Sequence, residues 1–185
     1  MGYAVTLNLS RDSAARVVEL WEGLAQEAIS SVMLDVGAQP HISLAVFQDL
    51  APEMLRADPK VLRADLSQFA EATPPLSLDL ASAGTFPTAE GVVFLAPAVT
   101  QELLEAHRRF HCFLRDRGVD CVEYYLPGRW VPHCTVATGV APDRMGAALE
   151  VCVQSEAFGP VELDEVSLIE FPPVRETYAF PLGGR

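Results

Sequence analysis

The chain reads as an α+β domain on three observations. Strand-like alternation and helix-like periodicity succeed one another along its length. Two neighbouring strand patterns are joined by a short turn, as in a hairpin. One strand motif occurs twice, as PHISLA at 40–45 and PHCTVA at 132–137, 92 positions apart. With 185 residues, half of them apolar, the chain is long enough to bury a substantial core. No linker or low-complexity block divides it, so a single domain over 1–185 is expected.

Residues 3–9 alternate as a strand, and Asp12 is placed to cap a helix in which Val17, Val18, Trp21, Leu24 and Ala28 recur at helical spacing. The next apolar stretch breaks at Gly37 to Pro40 and resumes at 40–47 as a strand opened by proline. Pro52 suits a first helical turn, and Met54, Leu55, Val61, Leu62, Leu66, Phe69 and Ala70 continue helically until Thr73-Pro74-Pro75. PLSLDLASAGTF and VVFLAP, with a turn around 88–91, form the hairpin. Thr100 caps a helix carrying Leu103, Leu104, Phe110, Phe113 and Leu114, and Gly118 ends it. After the second motif, 142–152 is short helix, and VELDEVSLIEF and TYAFPL are late strands.

Composition narrows the function classes. Asp and Glu number 25 against 13 Lys and Arg, giving a net charge of -12. The pI is near 4.6. Long nucleic acid is gripped by clustered cations that release counterions, so no long duplex partner is expected. No apolar run reaches membrane-spanning length, so no membrane partner is expected either. The opening MGYAVTLNLS lacks the basic start and long apolar run of a secretory signal, and a cytoplasmic location is expected. Cys112, Cys121, Cys134 and Cys152 make no C-x-x-C pair and are expected to be reduced.

The repeated motif carries the chemistry. Strand side chains alternate, so His41 and Ser43 share one face while Ile42 and Leu44 share the other; His133 and Thr135 divide from Cys134 and Val136 in the same way. Each copy presents one imidazole beside one hydroxyl. Cleaving a phosphodiester needs a base for the attacking oxygen and an acid for the leaving oxygen, and histidine titrates near pH 6.5. Two histidines flanking one phosphorus supply both. The hydroxyls donate to nonbridging phosphate oxygens. The scheme calls for no metal or other cofactor.

The paired motifs resemble those of the two-histidine (2H) phosphoesterase superfamily, especially its 2'-5' RNA ligase and cyclic phosphodiesterase branch. GTFPTAEGVVFLAP, the helix from Leu103 to His107 and the closing TYAFPL fall where that family shows similar segments. The resemblance implies two similar lobes with antiparallel sheets, flanked by helices and related by a pseudo-twofold axis, with both motifs facing a central cleft. It implies that His41 and His133 are the catalytic acid and base and that Ser43 and Thr135 bind phosphate. Which histidine is base stays open, as do hydrolysis against reversible 2'-5' ligation and a nucleotide-sensing module without turnover. The expected partner is a small nucleotide or RNA-end phosphoester, bound by a monomer.

Other residues are weighed against plainer roles. His107 and His111 stand i, i+4 on a helix, but the intervening Arg108 and Arg109 oppose a metal site. Trp130 and Tyr124 are candidates for stacking on a base, with core or rim packing as the alternative. Arg129 and Arg175 are candidates for adding positive charge to a phosphate, with solvated surface cations as the plainer reading. Strand alternation turns Cys134 towards the interior, as a small buried side chain.

Overall fold

A computed structural model describes residues 2–47 and 59–184. Seven antiparallel strands are present among them: β1 (Gly2–Leu9), β2 (His41–Phe47), β3 (Leu76–Thr85), β4 (Val93–Pro97), β5 (Cys134–Ala137), β6 (Gly159–Phe171) and β7 (Arg175–Pro181). The helices are α1 (Arg11–Gln26), the single turn α2 (Val32–Asp35), α3 (Pro59–Glu71), α4 (Gln101–Asp116) and α5 (Met145–Gln154). The expected helical residues Pro52, Met54 and Leu55 lie outside the described residues.

The strands run in the order β2-β1-β6-β3-β4-β5, with β7 also paired to β6. The long β6 joins two sub-sheets. Its first residues pair with β3 through Leu76–Leu80, and from Leu163 onward it pairs with β1 and then β7. One sub-sheet is thus β2-β1-β6-β7 and the other β5-β4-β3-β6. In each, the motif strand is outermost. The two outer strands, β2 and β5, nevertheless touch, so the sheet curls until its ends meet.

The helices and apolar strand faces share one hydrophobic core, in which Leu7, Trp21, Ile42, Leu44, Phe69, Leu95, Leu103, Cys134, Val136 and Leu163 are buried. Motif side chains alternate as expected: His41, Ser43, His133 and Thr135 are half-buried, while Ile42, Leu44, Cys134 and Val136 are buried. Cys134 faces the interior, and all four cysteines are free.

Three local expectations need correction. Ala28, expected within α1, lies past its last residue Gln26, where a left-handed φ of 51° ends the helical run. The N-cap of α1 is Ser10, not Asp12. The Ser10 N–H donates to the Glu162 carbonyl at 2.7 Å, so strand pairing runs on to Ser10 and the helix starts immediately after it. Asp12 instead sits in the first turn, where its charge favours the helix dipole. Leu104 is 48 % exposed and outside the core face of α4, which Leu103, Ala106, His107, Phe110, His111 and Leu114 form. The Thr100 cap is as expected, its hydroxyl accepting from the Leu103 N–H at 3.2 Å.

Candidate active site

Both motifs begin with a buried proline and then place histidine at the mouth of the strand. His41 Nδ1 lies 2.6 Å from the Gln39 carbonyl, and His133 Nδ1 lies 2.7 Å from the Val131 carbonyl. A carbonyl only accepts, so each Nδ1 carries the hydrogen and each Nε2 is left for a ligand. The two rings are therefore oriented by the same device, two residues upstream, in both copies.

Burial lowers both imidazole pKa values below the usual 6.5; the nearby His133 lowers that of His41 further. Backbone hydrogen bonds to Gln39 and Val131 oppose these shifts. The contact between β2 and β5 brings the two motif strands together. The half-buried Ser43 and Thr135 lie on the same strand faces as their histidines.

Around this matched centre the surroundings differ. β1 sets Asn8 opposite His41 and Thr6 opposite Ser43. Thr6 donates to Asn8 Oδ1 at 2.9 Å, and Asn8 Nδ2 donates to Glu165 and to Ser167 Oγ at 2.8 Å each. Ser167 Oγ is 3.2 Å from Glu176. Thr6, Asn8, Gln39, His41 and Glu176 line a cavity of about 120 Å³. On the other side β4 sets Phe94 opposite Thr135. Phe86 packs against Phe94 at 4.4 Å and edge-on to His133 at 4.9 Å. A Cβ at Gly84, across from Phe94, would come within 2.9 Å of its ring, so glycine makes room for the aromatic here.

A second cavity of about 630 Å³ opens beside His133 and Thr135, lined also by Phe86, Glu90, Tyr124, Arg129 and Trp130. Tyr124 is 75 % exposed at its rim. Arg129, the one Lys or Arg lining either cavity among the described residues, is ion-paired with Glu123. Arg175 is exposed at the start of β7.

Trp130 has a further task. Its indole N–H donates to the Ser43 carbonyl at 3.0 Å, and one ring face stacks on His107 at 3.9 Å and 3°. His107 Nε2 is 2.8 Å from the Tyr125 carbonyl and His111 Nε2 is 3.1 Å from the Leu44 carbonyl. The helical histidine pair thus bonds to backbone and ties α4 to the first motif's strand. Burial, then the charge of His111, pushes the pKa of His107 down to about 4.

The inner polar network and the aromatic wall escaped the sequence reading. The available signal was the polar face of β1, Thr6 and Asn8 alternating with buried Val5 and Leu7. Only the β1–β2 register reveals that this face abuts His41.

Comparison with known proteins accords with this fold. Among solved structures, TT0787 of Thermus thermophilus matches with a TM-score of 0.62 and 19 % identity, covering 100 % of both chains. E. coli LigT complexed with 3'-AMP matches at 0.59 and 15 %, covering 97 % of this chain and 96 % of LigT. Kluyveromyces marxianus Usb1 matches at 0.51 and 12 %, covering 98 % and 97 %. No curated protein sequence matches. The family model of the 2'-5' RNA ligase superfamily matches residues 12–172, so this chain belongs to that superfamily.

Proposed function

We propose that the protein is a metal-independent phosphodiesterase acting on 2',3'-cyclic phosphates or 2'-5' phosphodiesters of nucleotides or RNA ends, with reversible 2'-5' ligation as the same chemistry run backwards. The observation that carries this reading is the matched orientation of His41 and His133, each with Nδ1 bound to the carbonyl two residues earlier and Nε2 left for substrate. One neutral imidazole takes the proton of the attacking oxygen, and one imidazolium protonates the leaving oxygen. Ser43 and Thr135 donate to the nonbridging oxygens and hold the phosphorus in line. Trp130 and Tyr124 offer aromatic surface to a base in the larger cavity. We place the site in one bilobal domain spanning 1–185.

The test is turnover of a 2',3'-cyclic nucleotide and of a short RNA ending in a cyclic phosphate, by EDTA-treated protein beside His41→Ala and His133→Ala. Each substitution should lower kcat by about 10²–10⁴-fold, the usual contribution of a positioned acid or base. A double variant turning over at the wild-type rate would sink the mechanism. Inhibition by EDTA that zinc reverses would refute metal independence.

A second reading, a nucleotide-binding module without turnover, is favoured by the size and aromatic lining of the larger cavity. LigT has been captured with 3'-AMP, ATP and NADP+. Tight AMP binding to this protein with no hydrolysis would select that reading.

A further inference from the structure

The motifs are duplicated, but the walls beside them are not. Beside His41 the wall is polar and small; beside His133 it is aromatic and large. The 120 Å³ space at the His41 end falls well short of the roughly 300–1,000 Å³ of ligand pockets, too little for a nucleoside. The 630 Å³ space at the His133 end, walled by Phe86, Tyr124 and Trp130, suits one. Substrate orientation follows from this mismatch in size and polarity.

The hydrogen-bond inventory sharpens it. Both amide hydrogens of Asn8 are already committed, to Glu165 and Ser167, and the Thr6 hydroxyl donates to Asn8. Asn8 is 5 % exposed and Thr6 fully buried, so this network is held rigidly. The donors of Thr6 and Asn8 are therefore spent within the network and are not offered to a phosphate oxygen. Glu176 adds a carboxylate, anchored by Ser167 at 3.2 Å. Such a wall favours a group that donates an O–H and opposes one that brings negative charge.

Resting on the cyclic-phosphate arm of the phosphodiesterase reading, and leaving no room for the second nucleoside of 2'-5' cleavage or ligation, we propose that the pocket beside His41 is an acceptor subsite for water or a small uncharged alcohol, that the nucleoside occupies the aromatic end, and that Glu176 turns away phosphate-bearing alcohols. The acceptor O–H gives its proton to His41 Nε2 as its oxygen bonds to phosphorus. The bond from phosphorus to one ribose oxygen breaks, and that oxygen takes the proton from His133 Nε2. Water yields a nucleoside monophosphate; an alcohol yields a diester.

The experiment is a partition assay on the full chain. Adenosine 2',3'-cyclic phosphate is incubated at low ionic strength with glycerol or with glycerol phosphate at equal concentration. Chromatography then gives the ratio of diester to monophosphate, which does not depend on total activity. The ratio for glycerol should exceed that for glycerol phosphate by about tenfold or more, the preference expected of one carboxylate near the surface. Glu176→Gln should narrow the preference to about threefold or less, as should added salt. Glu90→Gln, at the aromatic end, should leave it unchanged. Equal ratios in the wild type, equal narrowing by both substitutions, or hydrolysis with no diester from either alcohol would overturn the subsite. Absence of turnover in water alone would instead overturn the phosphodiesterase reading, and the subsite with it.

Discussion

Acid should loosen the brace behind the first motif before it reaches the rest of the core. His107 is 2 % exposed, stacked on Trp130 and 4.3 Å from the ring of His111. Its pKa falls from the usual 6.5 to about 4, chiefly by burial. A depressed pKa means that the folded state prefers the neutral ring while the unfolded chain takes up a proton near 6.5. The resulting stability is present above that pH and is lost as pH falls through the folded value. The full shift corresponds to on the order of 3 kcal/mol, most of it expressed by about pH 4.5. His107→Gln retains an N–H for the Tyr125 carbonyl but neither stacks nor titrates. Urea unfolding at about pH 7.5 should find the variant less stable by about 1–3 kcal/mol, from lost packing and stacking. Between there and about pH 4.5 the wild type should lose roughly 2–3 kcal/mol more than the variant, closing or inverting the gap. A gap that stays constant across this range would refute the reasoning.

Because burial lowers the pKa values of both His41 and His133, the free enzyme's kcat/KM should follow a bell whose maximum lies on the acid side of pH 6.5. The base is lost as pH falls through its lowered value, and the acid is lost as pH rises through its own; a maximum above pH 7 would contradict the assignment. Trp130→Phe keeps an aromatic ring over His107 but removes the bond to the Ser43 carbonyl. It should cost about 1 kcal/mol in urea unfolding and lower kcat more than it raises KM, because the slackened strand carries Ser43, the proposed phosphate ligand; unchanged kcat would remove Trp130 from that role. Burial pushes the Cys134 thiol up to about 12, so it should resist alkylation in the native protein, and Cys134→Ser should destabilise by about 1–3 kcal/mol. Rapid native labelling at Cys134, followed by mass spectrometry, would show that its strand opens.

The strands and main helices were legible because their patterns are local: alternation in LSLDL, helical spacing through Leu103, Phe110 and Leu114, and glycine after Asp116. The candidate histidines and hydroxyls stood out because they recur in the same context. What stayed hidden depends on register. Nothing near Glu165, Ser167 or Glu176 in the sequence points towards His41, yet β6 and β7 bring them into one network across β1. The tasks of Trp130 and His107 were hidden for the same reason, since stacking and a bond to Ser43 across 87 positions leave no periodic trace. Even the displaced cap of α1 follows from a distant carbonyl, that of Glu162.

The strand order has an implication for how the molecule is assembled. Apart from the single turn α2 and the closing β7, each half of the sequence runs strand, helix, strand, helix, strand, as β1-α1-β2-α3-β3 and β4-α4-β5-α5-β6. The third strand of each half pairs within the other half: β3 lies beside β4, and β6 beside β1. The halves are thus interlocked like clasped hands rather than stacked as neighbours. Severing the chain between them, near residue 88, would deprive each fragment of the strand that completes its sheet and expose a long unpaired edge.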